Sequence, residues 1–161
     1  MPAPTVALEQ PVLTSAPRRF VLYRHRIVAH NELGPTIRDS FAELYACVEA
    51  SGANPGGPPF VIYHSASQPG VRWEIYICAP VSEPMVAPPC FEYIEMPSCI
   101  VVSMLHLGPY DSLGEAYAQV EAYVGEHGLT KAGPPREFYY SEPDGPPTET
   151  RTLIEWPVNQ P

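Results

Sequence analysis

The chain has 161 residues, 45% of them apolar, which suits one domain with a sizeable core and excludes a chain disordered throughout. Its net charge is −9 with only nine Lys and Arg. Affinity for nucleic acid rests on cations meeting phosphates, so direct nucleic-acid binding is not expected. No apolar run approaches the ~20 residues that cross a bilayer, and the first residues lack the basic start and apolar core of a signal peptide; a cytoplasmic protein with no membrane partner is expected.

Residues 1–18 are rich in proline and read as a disordered leader, too short for a helix-turn-helix. From residue 19 onward a single domain is expected: a first repeat over about 19–81, a linker at 82–91 and a second repeat over about 92–158. β-Branched and aromatic residues make 20–30 a strand, which Gly34-Pro35 ends. A helix follows at about 37–51, with Phe41, Leu44, Tyr45 and Val48 at helical spacing, Asp39 near its start and Gly52 as its C-terminal cap. Strands at 60–64 and 71–79 flank a turn at Gln68-Pro69-Gly70. Residues 92–96 read as a lead-in strand for the second copy.

The second copy runs in the same order. A strand at 100–107 ends at Gly108-Pro109, and a helix at about 112–127 carries Leu113, Ala116, Tyr117, Val120 and Val124, with Asp111 near its start and Gly128 as its cap. Strands at 137–140 and 150–156 flank the turn residues Pro143-Asp144-Gly145-Pro146. The segment from Asp39 to Ala50 (DSFAELYACVEA) and that from Asp111 to Ala122 (DSLGEAYAQVEA) agree at eight of twelve positions. Pro58-Pro59 with Tyr63 answers Pro134-Pro135 with Tyr139, and Pro80-Val81 answers Pro157-Val158. Landmarks kept in order over this length indicate an internal duplication. The expected fold is α+β: tandem strand-helix-strand-strand units, an antiparallel-rich sheet with both helices on one face, and a ligand groove at the pseudo-twofold axis.

Cys47, Cys78, Cys90 and Cys99 form no Cys-x-x-Cys pair, and the five histidines show no metal-ligand spacing. Free thiols, no metal and no cofactor are expected. No Gly-x-Ser-x-Gly elbow and no phosphate-cradling loop is present.

These landmarks together resemble the GyrI-like family, the multidrug effector-binding domain of bacterial transcription activators. The resemblance rests on His106-Leu107-Gly108-Pro109-Tyr110, Ala116-Tyr117, Gly133-Pro134-Pro135 with Tyr139, and Glu155-Trp156-Pro157-Val158; the first copy adds Pro58 to Tyr63 and Cys78-Ala79-Pro80-Val81. It spans about residues 19–158. It implies a groove between the two halves for flat, lipophilic, often cationic compounds, walled by aromatics and faced by a buried glutamate. Some relatives sit behind a DNA-binding segment; others stand alone, inhibit DNA gyrase or hydrolyse cyclopropane-bearing toxins.

The chain departs from the family where the acidic residue usually stands, four positions before the closing Pro-Val. Tyr76 and Leu153 occupy those positions. Glu74 and Glu155 lie two residues away, on the same strand faces. The candidate ligand-binding residues are therefore Glu74, Tyr76, Tyr110, Tyr139, Leu153, Glu155 and Trp156, with no catalytic residue assigned. The reading is a small-molecule-binding module without its own DNA-binding segment, its partner a small ligand, with any protein partner unidentified. The alternatives are a cofactor-free hydrolase of electrophilic toxins and a gyrase-inhibitor-like interaction module. Because Leu153 supplies no carboxylate, little or no hydrolysis is expected.

Overall fold

The computed structural model describes residues 10–68, 72–89, 91–140 and 150–161. The elements in chain order are β1 (Val12–Ala16), β2 (Arg19–Ala29), α1 (Leu33–Ala50), β3 (Phe60–Gln68), β4 (Arg72–Val81), β5 (Glu92–Met96), β6 (Cys99–Leu107), α2 (Leu113–Glu126), β7 (Thr130–Lys131), β8 (Arg136–Tyr139) and β9 (Arg151–Asn159). The class is α+β, and every described strand pairing is antiparallel. Among the described residues no helix is long and apolar enough to cross a membrane. The turn residues Pro69-Gly70 and Pro143-Asp144-Gly145-Pro146 lie outside the described residues.

The chain divides into two compact units. The first is Pro17–Ser98. Its strands run in the order β3-β4-β2-β5. The long β2 pairs with β4 without a register shift from Phe20↔Val81 to Ala29↔Arg72. Helix α1 packs against β4 and β2 through Leu44 and Val48, with Ser40 also buried on it. The helix starts at Leu33, earlier than the sequence suggests, and takes Pro35 into its first turn, where no intrahelical N–H bond is needed. Asp39 therefore sits beyond the first turn and does not cap it, whereas Asp111 does lie in the short turn, Tyr110–Ser112, that leads into α2. Gly52 and Gly128 close the two helices with φ of 77° and 64°, backbone that residues with a Cβ adopt at a cost.

The second unit is Cys99–Pro161 together with the stretch up to Ala16. Its order is β8-β9-β6-β1, with β7 pairing the end of β9. Helix α2 buries Leu113, Ala116, Val120 and Val124 against Val102 and Met104 of β6 and Ile154 and Val158 of β9.

Two strands differ from expectation in where they go. Within the proline-rich segment expected as a leader, Val12–Ala16 forms β1 along β6, and Ala16, opposite Cys99, is buried. The lead-in strand at Glu92–Met96 is present but pairs with β2 of the first unit, Met96 opposite Arg19, rather than with the second copy. Each unit thus takes its outermost strand from the segment that precedes the other unit's first long strand. Pro17 and Pro97, which follow β1 and β5, remove a donor where the chain leaves one unit's strands for the other's.

The loop after α1 rests on the end of β4. The Gly56 amide donates to the Pro80 carbonyl and the Ser82 amide to the Asn54 carbonyl, each at 2.9 Å. A Cβ on Gly56 would lie 2.4 Å from the Val81 carbonyl oxygen and 2.9 Å from the Ser82 nitrogen, both backbone atoms. Gly56→Ala is expected to cost about 2–3 kcal/mol, the upper range for overpacking. Gly57→Ala, whose Cβ would meet nothing nearer than 3.9 Å, is the near-neutral control; chemical denaturation of both variants measures the difference.

Candidate functional site

The strand registers of the second unit set out a row of polar groups on the α2 side of the sheet. His106 of β6 pairs with Thr152 of β9, and Thr152 with Tyr139 of β8. The next row on that face is Met104, Ile154 and Glu137. Alternation along β8 turns Glu137 and Tyr139 to the helix side and Arg136 and Phe138 to the other. Met104 and Ile154 are fully buried, so Glu137 stands in an apolar row and is itself only 8% exposed.

Two phenols meet this carboxylate. Tyr117 of α2 donates to Oε2 at 2.7 Å, and Tyr139 donates to Oε1 at 3.0 Å. Burial pushes the Glu137 carboxyl above its ordinary range; the two phenol hydrogen bonds oppose that rise without cancelling it. Among the described residues no cationic side chain is bonded to Glu137. The Thr152 hydroxyl, in the adjoining row, is buried without a partner among the described residues. Tyr110 stands over Tyr139 edge-on, with ring centroids 6.1 Å apart, and is 57% exposed. Burial and the nearby Glu137 both raise its phenol. The turn that carries Tyr110 is held by His106, whose Nε2–H donates to Ser112 Oγ at 2.9 Å, while Ser112 Oγ donates to the Pro109 carbonyl at 2.9 Å. The group runs from a solvent-facing ring to a buried acid: Tyr110, Tyr139, Glu137, Tyr117.

Of the residues singled out in the sequence, Tyr110 and Tyr139 belong to this group. Trp156 shares the same sheet face but is engaged otherwise. Its Nε1–H donates to the Gly133 carbonyl at 2.9 Å, Tyr117 meets it edge-on, and Lys131 Nζ sits 4.3 Å from the ring centre while pairing with Glu121. Leu153 and Glu155 point to the opposite face. Glu155 is buried and pairs with Arg136, Nε donating at 3.1 Å; the guanidinium also donates to Cys99 Sγ at 3.2 Å.

Glu74 and Tyr76 form a separate cluster in the first unit, on the sheet face away from α1. His25 Nε2 donates to Glu74 Oε2 at 2.8 Å and His64 Nδ1 to Oε1 at 3.0 Å. Tyr76 stacks on His25, with centroids 4.7 Å apart, and meets Tyr23 and His64 at wider angles. Both carboxylate oxygens are thus taken by imidazoles. Among the described residues no set of three His, Cys, Asp or Glu is arranged to share a metal ion, and Cys47, Cys78 and Cys99 are free thiols. A shallow depression between Ser51–Asn54 and Ser82–Val86 has a largely polar lining and no aromatic side chain.

Glu137 is not among the candidates read from the sequence, because it lies on a different strand from the positions counted back from Pro-Val. The readable signal was its repeat partner: two residues after each Pro-Pro pair stand Val61 in the first copy and Glu137 in the second. A charge at a position where the other copy buries Val marks a buried charge.

Three proteins of known structure share the fold. EcmrR, solved by cryo-EM as a complex with DNA, matches at TM-score 0.83 and 22% identity over 94% of this chain, which spans 58% of the EcmrR chain. The crystallised EcmrR C-terminal domain matches at 0.76 and 24% identity, covering 94% of this chain and 98% of that one. A hydrolase encoded by lin2189 of Listeria innocua matches at 0.71 and 14%, covering 96% and 94%. SAV2435, solved bound to tetraphenylphosphonium, matches at 0.61 and 14%, covering 93% and 94%. At these identities the likeness is one of fold. No match was found among curated proteins. The sequence fits the description of the GyrI-like small molecule binding domain over residues 9–159, nearly its whole length, and the chain belongs to that family.

Proposed function

We propose that the chain binds flat, lipophilic cations, with Glu137 as the charged floor of the site and Tyr110 and Tyr139 as its aromatic walls. The observation that carries this reading is Glu137 itself: a buried carboxylate held by two phenols, with no cationic side chain bonded to it among the described residues. A buried charge left without a counter-charge is costly. A ligand cation supplies the missing partner, and the ring faces attract it. The Thr152 hydroxyl adds an unused hydrogen-bonding group next to the acid. The bound tetraphenylphosphonium of SAV2435 and the match to the EcmrR C-terminal domain favour a multidrug-type effector module in the cytoplasm. The matching strand orders of the two units, with the Asp39–Ala50 and Asp111–Ala122 likeness, favour an internal duplication.

Fluorescence titration with tetraphenylphosphonium and cationic dyes is expected to give saturable binding at micromolar strength, about −8 kcal/mol. Tyr110→Ala is expected to weaken it by about 1 kcal/mol, the scale of one lost aromatic contact. If Tyr76→Ala weakens binding and Tyr110→Ala does not, the site is the histidine cluster of the first unit instead; absence of saturable binding ends the proposal.

One observation favours a second reading. A carboxyl raised by burial and held by two phenols is equipped for general acid–base work, and a neighbour is described as a hydrolase. Ring opening of a cyclopropane-bearing electrophile, lost in Glu137→Gln, would establish it.

A further inference from the structure

The side chains next to Tyr117 on the helix side of the second unit already hold a cation. On α2, Tyr117 and Glu121 lie one turn apart and share a face. In the sheet, Lys131 of β7 pairs with Val158 of β9, and alternation along β9 turns Trp156 to the same face as Val158. Lys131 therefore reaches Trp156 and α2 together. Its ammonium lies 4.3 Å from the centre of the Trp156 ring and 2.6 Å from Glu121 Oε1. Tyr117 meets the ring edge-on, with centroids 5.9 Å apart. The Trp156 Nε1–H, which donates to the Gly133 carbonyl at 2.9 Å, fixes the ring in place. The first unit has the same frame without this set. Pro55 bridges Val81 as Lys131 pairs with Val158. The Gly56 amide donates to the Pro80 carbonyl at 2.9 Å, as the Ala132 amide does to the Pro157 carbonyl at 2.8 Å. Tyr45 and Glu49 stand where Tyr117 and Glu121 do, but Ala79 stands at the Trp156 position and Pro55 at the Lys131 position. The backbone thus closes in the same way with neither the ring nor the ammonium.

We propose that Trp156, Tyr117 and Glu121 form a second cation site, in which Lys131 is a tethered occupant that a primary alkylammonium replaces. The site does not use the Glu137 carboxylate: Tyr117 offers its ring here and its hydroxyl to Glu137. A ring face with a carboxylate at its rim is the pair of groups that recognises an organic cation. An indole held by its own N–H needs little ordering when a ligand arrives. The Lys131 and Glu121 side chains are 40% and 49% exposed, so solvent screens the pair and its hold is weak. Tethering is what keeps the place filled, because an ammonium on the same chain competes as if present at about millimolar concentration. Lys131 therefore acts as a built-in inhibitor that sets a threshold for free ligand. The ligand it stands in for is slender, an ammonium on an alkyl stem, and the inference stands without the function proposed above.

The test uses n-butylammonium, which reproduces the lysine side chain from its first carbon outward. Trp73→Phe leaves Trp156 as the single tryptophan of the chain. In that background Lys131→Ala is expected to show a saturable change in Trp156 fluorescence. Its dissociation constant is expected to lie about tenfold or more below that of the chain that keeps Lys131, since the tethered competitor is gone. Glu121→Gln added to Lys131→Ala is expected to weaken binding about threefold to fivefold, the range of an exposed ion pair. n-Butanol, of the same shape but uncharged, is expected to give no saturable change. Circular dichroism checks that each chain is folded; if Lys131→Ala is not, Lys131→Thr, a better strand former, takes its place. A folded variant with no saturable change would overturn the inference. So would equal affinities with and without Lys131, or a signal lost in Glu137→Gln and kept in Glu121→Gln, which would put the cation at the other carboxylate.

Discussion

Glu137→Gln is expected to raise the dissociation constant for lipophilic cations about 30-fold or more, because truncating one side of a desolvated charge pair costs about 2 kcal/mol or above. The protein itself is expected to lose no stability above neutral pH and to gain some. Glu137 is buried in a row with Met104 and Ile154, and among the described residues its hydrogen bonds come only from phenols, so its ionisation in the folded chain works against desolvation. The direction with pH follows from its raised carboxyl. A group whose folded pKa lies above its unfolded value contributes its full stability below the unfolded value. That contribution is lost as pH rises through the folded value. The natural chain should therefore lose stability from about pH 4.5 upward relative to Glu137→Gln. Thermal melts of both chains across pH, with parallel dye titrations, measure the two effects together. A Gln variant that binds cations as tightly as the natural chain would remove Glu137 from the site.

The opposite result is expected from the other buried carboxylate. Arg136 and Glu155 pair with almost no exposure, side chains at 6% and 7%, among the buried Ser103, Phe138 and Leu153. Arg136→Leu leaves Glu155 charged and buried without its guanidinium, and is expected to cost about 3–5 kcal/mol. In a chain of this length that lowers the melting temperature by roughly 10 °C. Arg136→Leu combined with Glu155→Leu is expected to recover most of the loss, since an apolar pair of similar volume avoids both desolvation costs. Denaturation of the three chains checks this; equal loss in the single and double variants would mean that packing, and not the charge, sets the cost. Two glutamates on adjacent strands thus have contrasting surroundings: Glu155 pairs with Arg136 inside the fold, and Glu137 is the one proposed to meet a ligand cation.

Much of the architecture was readable. Leu44 and Val48, like Ala116, Val120 and Val124, fall at helical spacing and are the residues the helices bury. Gly52 and Gly128 mark helix ends because only glycine takes positive φ without strain. Strand partners were not readable for short edge strands: Val12–Ala16 and Glu92–Met96 carry no pattern that names a partner far away in sequence, and proline on either side of β1 suggested a leader. For the site, Tyr110 and Tyr139 were visible as aromatics near Gly-Pro and Pro-Pro landmarks. Glu137 escaped because a single carboxylate in a strand reads as a solvent-facing residue until its neighbours across the sheet are known to be Ile154 and Met104.

The crossed placement of β1 and β5 bears on how this chain comes together and comes apart. Neither half owns a complete set of strands: the set containing β2 is finished by Glu92–Met96, and the set containing β6 by Val12–Ala16. Residue 12 must find residue 103 before the strands around β6 are complete, a closure of long range that slows folding and makes it depend on both halves being present. The same lacing means that the connector at 82–91 is not a seam. A backbone cut there would leave two fragments, each still paired to a strand of the other, and a gene split at that point would yield pieces that need each other to fold.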